Sequence, residues 1–276
     1  MDEARYDLHC HSIFSDGTCS PEEIIDLAKL KGLKGLSITD HDTIGAYERA
    51  IPYAKEHDIE LVSGIEFSTT YQEQSIHILG YGFKLNDPYI LALCERHKNR
   101  RLLRFDQMRE KLEAKGFQID ASKLHIKGIP GRPHLAQGLL EMGYVTSIKE
   151  AFDLYLGENK SCYIKNEAPS VEETLQILEK ANALAVIAHP GLIKKSSVLL
   201  DLLKMNFDGI EANYANFPSK QSERWRQIGT RKNWILTGGS DFHGDIKPSI
   251  QLGASFVHHD VFQKLMDRFN ENQSRI

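Results

Sequence analysis

Two histidines two residues apart, His9 and His11, carry the first sign of chemistry, in a run Asp7-Leu8-His9-Cys10-His11-Ser12 that reads as a β-strand. Strand side chains alternate faces, so the two imidazoles share one side while Leu8 and Cys10 share the other, where Cys10 packs in the core. Asp16-Gly17 follows as a turn signal and leaves a carboxylate at the same strand end. Two imidazoles and a carboxylate are expensive to bury together without a partner, and a divalent metal is the partner that suits all three. Taken alone, a His-x-His pair is also compatible with chance, so the rest of the chain decides.

The same residue types recur wherever an apolar run ends. His9, His11, Asp16, Asp40, His41, Glu66, His77, His189, Asp241 and His243 all fall at or near the ends of predicted strands. Each alone has a structural explanation, but such a set cannot crowd one end of a sheet unless cations balance the carboxylates and occupy the imidazoles. One zinc site needs three or four protein ligands, so nine or ten residues imply two or three metals. Imidazole and carboxylate without thiolate suit Mn²⁺, Fe²⁺ or Zn²⁺. Clustered metals of this kind serve phosphoester hydrolysis, activating a water and binding phosphoryl oxygens.

The elements that must position these residues are legible from periodicity and caps. Strands are expected at the opening run, Gly35–Thr39, Ile59–Ile65, Ser75–Tyr81, Ala183–Ala188, Phe207–Ala212, Trp234–Gly239 and Leu252–Val257. Helices are expected from Pro21 behind a Ser20/Glu23 capping box to Gly32, from Thr43 to His57, from Val171 behind Ser170 and Glu173, over Ser197–Met205 and Ser219–Lys232, and over Val261–Phe269. Strand and helix alternate, with a strand pair added at the end of the opening quarter, which predicts an α/β fold with a largely parallel sheet whose strand ends gather the functional residues. Glu211, Asn213 and Tyr214 follow one strand and could line the same mouth.

Between residues 86 and 165 the pattern changes to helix formers and charge, so the chain divides into a discontinuous domain, 1–85 with 166–276, and a helical insertion, 86–165. Pro88–Lys115 reads as one long helix or two in tandem, with Leu102, Phe105, Met108 and Leu112 as the apolar stripe, followed by short helices at Leu135–Met142 and Ser147–Leu154. Arg96–Lys115 holds eight basic residues against three acids, either a solvated face or a basic wall for a polyanionic substrate. The loop Gly128-Ile129-Pro130-Gly131-Arg132-Pro133-His134 carries an arginine and a histidine at its tip.

Composition excludes several classes. With 41% apolar and 26% charged residues the chain reads as an ordinary globular protein, and its net charge of −4 does not announce a nucleic-acid binder. It has no run long and apolar enough to span a membrane and no signal peptide, and its four cysteines lack metal-binding or redox spacing. A cytoplasmic protein with reduced thiols and no obligate protein partner is expected.

His9-x-His11, Asp16-Gly17, Thr39-Asp40-His41, Gly64-Ile65-Glu66, His77, His189-Pro190 and Ser240-Asp241-x-His243 resemble, in order, the successive motifs of the PHP (polymerase and histidinol phosphatase) family. The resemblance implies a distorted (β/α)7 barrel with three divalent metals, Mn²⁺ foremost. It implies a first metal on His9, His11, Glu66 and Asp241, a second on Glu66, His77 and His189, and a third on Asp16, His41 and His243. Many relatives carry histidine where Asp16 stands; the aspartate and the Gly131-Arg132-Pro133-His134 loop resemble the branch of 3′,5′-nucleoside bisphosphate phosphatases and 5′-to-3′ exoribonucleases. In that branch Arg132 and His134 would grip substrate phosphate, and Asp40 would orient a ligand histidine from behind. The substrate implied is a nucleotide bisphosphate or a short 5′-phosphorylated RNA. Histidinol phosphate or another small phosphomonoester is the alternative, and a non-catalytic PHP module the less favoured third.

Overall fold

The computed structural model describes residues 4–120, 124, 130–165 and 167–274, so Gly128 and Ile129 of the predicted loop lie outside the described residues. The chain forms two compact units, Met1–Cys94 with Pro169–Ile276, and Glu95–Ala168.

The first unit alternates β1 (Arg5–Cys10), α1 (Pro21–Leu30), β2 (Gly35–Ile38), α2 (Tyr47–Glu56), β3 (Glu60–Leu61), β4 (Gly64–Tyr71) and β5 (Gln74–Tyr81) before α3 (Pro88–Glu113) begins. After the second unit's α4 (Arg132–Glu141) and α5 (Ile148–Ala151), it resumes with α6 (Val171–Lys180), β6 (Leu184–Ile187), α7 (Ser196–Leu202), β7 (Gly209–Tyr214), α8 (Ser219–Arg231), β8 (Ile235–Gly239), β9 (Val257–His258) and α9 (His259–Ser274). The Ser20/Glu23 capping box forms as the sequence predicts: Ser20 Oγ accepts from Glu23 N–H at 3.2 Å, and the Glu23 carboxylate accepts from Ser20 N–H at 2.7 Å. Cys10 is buried on the apolar face of β1, against Ile24, Leu36 and Ile38.

Strand pairing is mixed, not largely parallel. One sheet has the order β3-β2-β1-β9, with only β9 antiparallel; the other has the order β4-β5-β6-β7-β8. In the second, β4-β5 and β5-β6 are antiparallel and β6-β7-β8 parallel. The local cause is the Gln72-Glu73 turn, where both residues have positive φ (44° and 64°), the twist a two-residue hairpin requires. Backbone pairing among the described residues therefore gives two sheets and not one closed barrel. The sheets touch at both seams through short bridges: Asp241 N–H donates to His9 O at 2.7 Å and His11 N–H to Phe242 O at 2.8 Å, while Glu66 N–H donates to Asp40 O and Asp42 N–H to Glu66 O.

Two local expectations fail. Leu252–Val257 is mostly turn, because Gly253 takes a φ of 76° and sends its N–H to Asp7 Oδ2 at 2.8 Å instead of to a neighbouring strand. The helix predicted from Thr43 starts only at Tyr47, since Asp42 has a φ of 60° and Thr43 Oγ1 accepts Gly45 N–H.

Asp7 fastens the first unit together. Its carboxylate accepts from Ser240 N–H (2.9 Å), His9 N–H (3.2 Å) and Gly253 N–H (2.8 Å), tying β1 to the segments after β8. Asp7→Ala strands three donors around a fully buried site and is expected to destabilise the protein by about 3 kcal/mol, measured by urea unfolding of metal-free protein.

The second unit has its own core, in which Phe105, Met108 and Leu112 of α3 pack with Leu135 and Leu139 of α4 and with Leu156 and Cys162. Leu102, predicted in that stripe, is 37% exposed. The division falls at Glu95 because Ile90 and Leu93, on the first turns of α3, are buried in the first unit's core. Part of the basic stretch is engaged locally: Arg104 donates to Ile164 O, Lys111 to Tyr163 O, and Arg109 pairs with Glu113.

Candidate metal centre

The residues that converge are delivered by strand ends and by two close backbone approaches. Gly239 lets β8 lie against β1, since a Cβ there would stand 2.4 Å from His9 N. Gly17 lets the chain fold back after His11, where a Cβ would meet His11 O at 2.2 Å, and this turn presents Asp16. Asp40 fixes the same turn: Oδ1 accepts from Ser12 N–H (2.7 Å) and Ser15 Oγ–H (2.6 Å), and Oδ2 from Ser12 Oγ–H (2.6 Å). Its hydrogen bonds thus go to serines, one of which, Ser15, lies 3.5 Å from His11 Nδ1. His189 and Asp241 sit at φ of 25° and 57°, uncommon backbone conformations for residues with side chains, and such strain gathers at functional sites.

Glu66, 1% exposed, stands at the middle. Its Oε1 lies 2.9 Å from His77 Nδ1 and 2.9 Å from His189 Nε2. Its Oε2 lies 3.3 Å from His9 Nε2, 3.2 Å from His11 Nε2 and 3.2 Å from His41 Nδ1. Asp241 Oδ1 is 3.4 Å from His9 Nε2 and 3.2 Å from His11 Nε2, and the two Nε2 atoms are 3.2 Å apart. Asp16 completes a further cluster, with Oδ1 3.5 Å from His11 Nδ1 and 3.3 Å from His243 Nε2, and Oδ2 3.7 Å from His41 Nε2. Three groups form in which the donor atoms of each group all lie within 4.8 Å of one another: His9, His11, Glu66 and Asp241; His11, Asp16, His41 and His243; and His41, Glu66 and His77. All nine residues expected to hold metal come together, but the groups differ from the sets the resemblance implies: His11 also joins Asp16, His41 and His243, and His41 takes the place of His189 beside Glu66 and His77, while His189 keeps its contact with Glu66 Oε1.

The donor sets fit metal ions on their own chemistry. His9 Nδ1 donates to Glu211 Oε1 at 2.8 Å, which leaves the Nε2 lone pair of the neutral ring facing His11 and two carboxylate oxygens. His243 Nδ1 donates to Asp241 O at 2.8 Å, which aims its Nε2 lone pair at Asp16. His41 Nδ1 is buried with no hydrogen-bond partner. Acceptors crowded against acceptors require either extra protons or a cation between them. Separations near 3.3 Å are also the edges of a tetrahedron whose corners lie ~2.0 Å from its centre, the usual distance of imidazole and carboxylate from zinc.

Without metal, protons supply the missing charge. Burial works against an imidazolium at His9, but Glu211, Glu66 and Asp241 outweigh it and hold the ring well above its ordinary range. His11 is pushed up to about 10, as its contacts with Asp241 and Glu66 overcome burial. His41 is pushed down to about 4, chiefly by burial. Despite burial, His41, His77 and His9 hold the Glu66 carboxyl well below the usual range, and His41, His243 and His11 do the same for Asp16. Metal entry must displace the protons on His9 and His11. Loading at pH 7 is therefore expected to release at least one proton, with affinity weakening as pH falls. Calorimetric titration in buffers of different ionisation enthalpy measures the count, and zero release would contradict this electrostatic picture.

Three contributors escaped assignment from sequence. Glu211, fully buried, joins His9 Nδ1 to the backbone of His189, whose N–H donates to Glu211 Oε2 at 2.7 Å. Tyr214 Oη–H donates to Asp241 Oδ2 at 2.8 Å, and Lys247 Nζ donates to the same oxygen at 2.6 Å. Glu211 and Tyr214 stood near a strand end in the sequence; nothing local marked Lys247. Asn213 instead accepts from Arg226. In the second unit, Arg132 stacks over Phe152 and Tyr163 and lies 3.5 Å from Leu156 O, and His134 Nδ1 accepts Gly131 N–H at 3.0 Å.

Comparison with known proteins gives a consistent picture. The PHP domain family profile matches residues 7–183. A 5′-3′ exoribonuclease of Haemophilus influenzae is 34% identical over 248 residues, covering 87% of this chain and 90% of the relative. A 3′,5′-nucleoside bisphosphate phosphatase of Chromobacterium violaceum is 30% identical over 249 residues, covering 87% of each. Among solved structures, a Bifidobacterium adolescentis protein assigned as a metal-dependent phosphoesterase aligns with a TM-score of 0.83 at 28% identity, covering 97% of both chains.

Proposed function

We propose that this chain, which belongs to the PHP domain family, removes the 5′-phosphate of nucleoside 3′,5′-bisphosphates and shortens small 5′-phosphorylated RNAs from the 5′ end at the same centre. That it is a metal-dependent phosphoesterase follows from the family and its relatives; the substrate is our reading. The observation that carries it is Glu66, whose two oxygens face five imidazoles at 2.9–3.3 Å, an arrangement suited to a carboxylate shared between metal ions. The names of the two relatives at 30% and 34% identity support the choice of substrate.

In this reading His9, His11, Glu66 and Asp241 hold one divalent ion, Glu66, His77 and His189 a second, and Asp16, His41 and His243 a third. Mn²⁺ is the ion favoured by the Asp16 carboxylate, with Fe²⁺ or Zn²⁺ as substitutes. Bound there, such ions supply Lewis acidity to phosphoryl oxygens and a deprotonated water at neutral pH. The protein's own residues do the rest. Glu211 keeps the proton of His9 on Nδ1. Tyr214 and Lys247 hold Asp241 Oδ2, so that Oδ1 faces the histidines. His41 and His77, 16% and 27% exposed, form the rim by which substrate enters. The net reaction adds water across the P–O5′ bond, giving inorganic phosphate and a nucleoside 3′-phosphate. We read β1, β2 and β4–β8 as the seven strands of a distorted barrel interrupted at its two bridged seams.

Arg132 and His134 are assigned to substrate phosphate, the guanidinium for its bidentate geometry. Arg132→Ala is expected to raise KM for adenosine 3′,5′-bisphosphate about tenfold or more while leaving kcat nearly unchanged; equal KM in variant and parent removes this residue from the assignment. No described helix is long and apolar enough to cross a membrane; a cytoplasmic setting belongs to our reading. The deciding assay offers Mn²⁺-loaded protein adenosine 3′,5′-bisphosphate, histidinol phosphate and a short 5′-phosphorylated RNA. Phosphate release from histidinol phosphate alone would overturn the substrate.

A further inference from the structure

Glu211 lies on β7 behind the histidines, and both of its oxygens are committed. Oε1 accepts from the ring of His9 at 2.8 Å, and Oε2 accepts from the main-chain N–H of His189 at 2.7 Å. His9 belongs to the first donor group. His189 places its Nε2 2.9 Å from Glu66 Oε1, beside His77. Its backbone sits at φ 25°, ψ 62°, a conformation that needs an outside restraint to persist. Residues from distant parts of the chain, one in β1 and one after β6, therefore take their orientation from a single side chain on a third strand.

We propose that Glu211 is a positioning residue that links the first and second metal sites, so that neither reaches full affinity without it. The inference rests on the metal-binding reading of the centre. It goes beyond it by assigning to one carboxylate the tautomer of one ligand and the backbone geometry of another. The chemistry is specific to a carboxylate. A glutamine has one acceptor and one donor end where glutamate has two acceptors. If its oxygen takes His189 N–H, its amide N–H points at His9 Nδ1, drives the proton to Nε2 and removes the lone pair from the first site. If its oxygen takes His9 Nδ1–H, its amide N–H opposes His189 N–H and displaces the strained turn, moving a ligand of the second. Either way one site is damaged while the cluster built on Asp16, His41 and His243, which Glu211 does not touch, is spared.

The test is equilibrium dialysis of metal-free parent, Glu211→Gln and Asp16→Ala against graded Mn²⁺, with bound metal counted by elemental analysis and folding followed by thermal melts. Asp16→Ala identifies the binding step that belongs to the third site. The expected result is that Glu211→Gln weakens at least one of the other steps by 10- to 100-fold, as loss of an outer partner of a metal-bound histidine does, and leaves the third step at its parent affinity. Identical isotherms for parent and Glu211→Gln overturn the proposal, as does an equal loss of all steps with a collapsed melting transition. A parent that takes up no Mn²⁺ overturns the metal reading itself, and this inference with it. A check that needs no variant is ¹⁵N NMR of the metal-free parent at a pH where His9 is neutral or of a diamagnetic Zn²⁺ form: the His9 proton must reside on Nδ1, and a proton on Nε2 overturns the assignment.

Discussion

Glu66→Gln is expected to lower phosphate release by at least about 10³-fold at saturating Mn²⁺, the loss typical of removing a preorganised charge from a reacting centre. Glu66 touches more of the site than any other described residue: two histidines at Oε1 and three at Oε2, with no exposure to dilute the effect. Glutamine keeps the shape but offers one acceptor and a donor where the five rings need two acceptors. Bound Mn²⁺ should fall together with turnover, because the two sites that share Glu66 lose a ligand each. The sign of the stability effect follows as well. The carboxyl of Glu66 is held well below its ordinary range in the metal-free fold, so it contributes stability that is present above the unfolded carboxyl pKa and is lost as pH falls through the folded value. The metal-free variant should therefore unfold more readily than the parent at pH 7, and the gap should close in acid. A variant that keeps parent turnover would exclude Glu66 as the shared ligand.

Asp16→Ala should cost about 10²-fold in turnover with little change in stability. Asp16 is 49% exposed, so its removal opens no core cavity and strands few partners, yet it is the only carboxylate in the group with His11, His41 and His243. The prediction is thus a split: near-parent melting, one metal fewer per chain, slow hydrolysis. Asp16→His should restore occupancy of that site and shift its preference from Mn²⁺ toward Zn²⁺, since imidazole is the softer ligand. Metal counting on the three proteins reads both effects, and retention of the full metal complement in Asp16→Ala would remove the third site from the reading.

How much of this was written in the chain differs from residue to residue. The histidines and carboxylates were legible because each ends an apolar run, and period-two alternation puts His9 and His11 on one face without knowledge of any neighbour. The Ser20 cap was legible because it is a contact between residues three apart. The pairing of β4 with β5 was legible as two strands in succession, but its tight antiparallel turn was not, because Gln72 and Glu73 carry no glycine to betray their positive φ. The strand at Leu252–Val257 was misread because its apolar residues are apolar for packing, while its backbone answers to Asp7, far away in sequence. Glu211 and Tyr214 were seen but not assigned, and Lys247 was not seen, for one reason: each acts on a residue that only the fold brings near.

The sequence by itself determined which atoms can bind metal, that they would gather at strand ends, and which family the chain resembles, because residue type and short-range periodicity survive without tertiary contacts. Only the tertiary structure decided that Glu66 faces five imidazoles at once, that the hydrogen bonds of Asp40 go to Ser12 and Ser15, that the strands pair as two bridged sheets, and that Glu211 stands behind both His9 and His189. Those are matters of distance and of hydrogen-bond direction between segments far apart in the chain, and no local pattern encodes which lone pair will meet which proton.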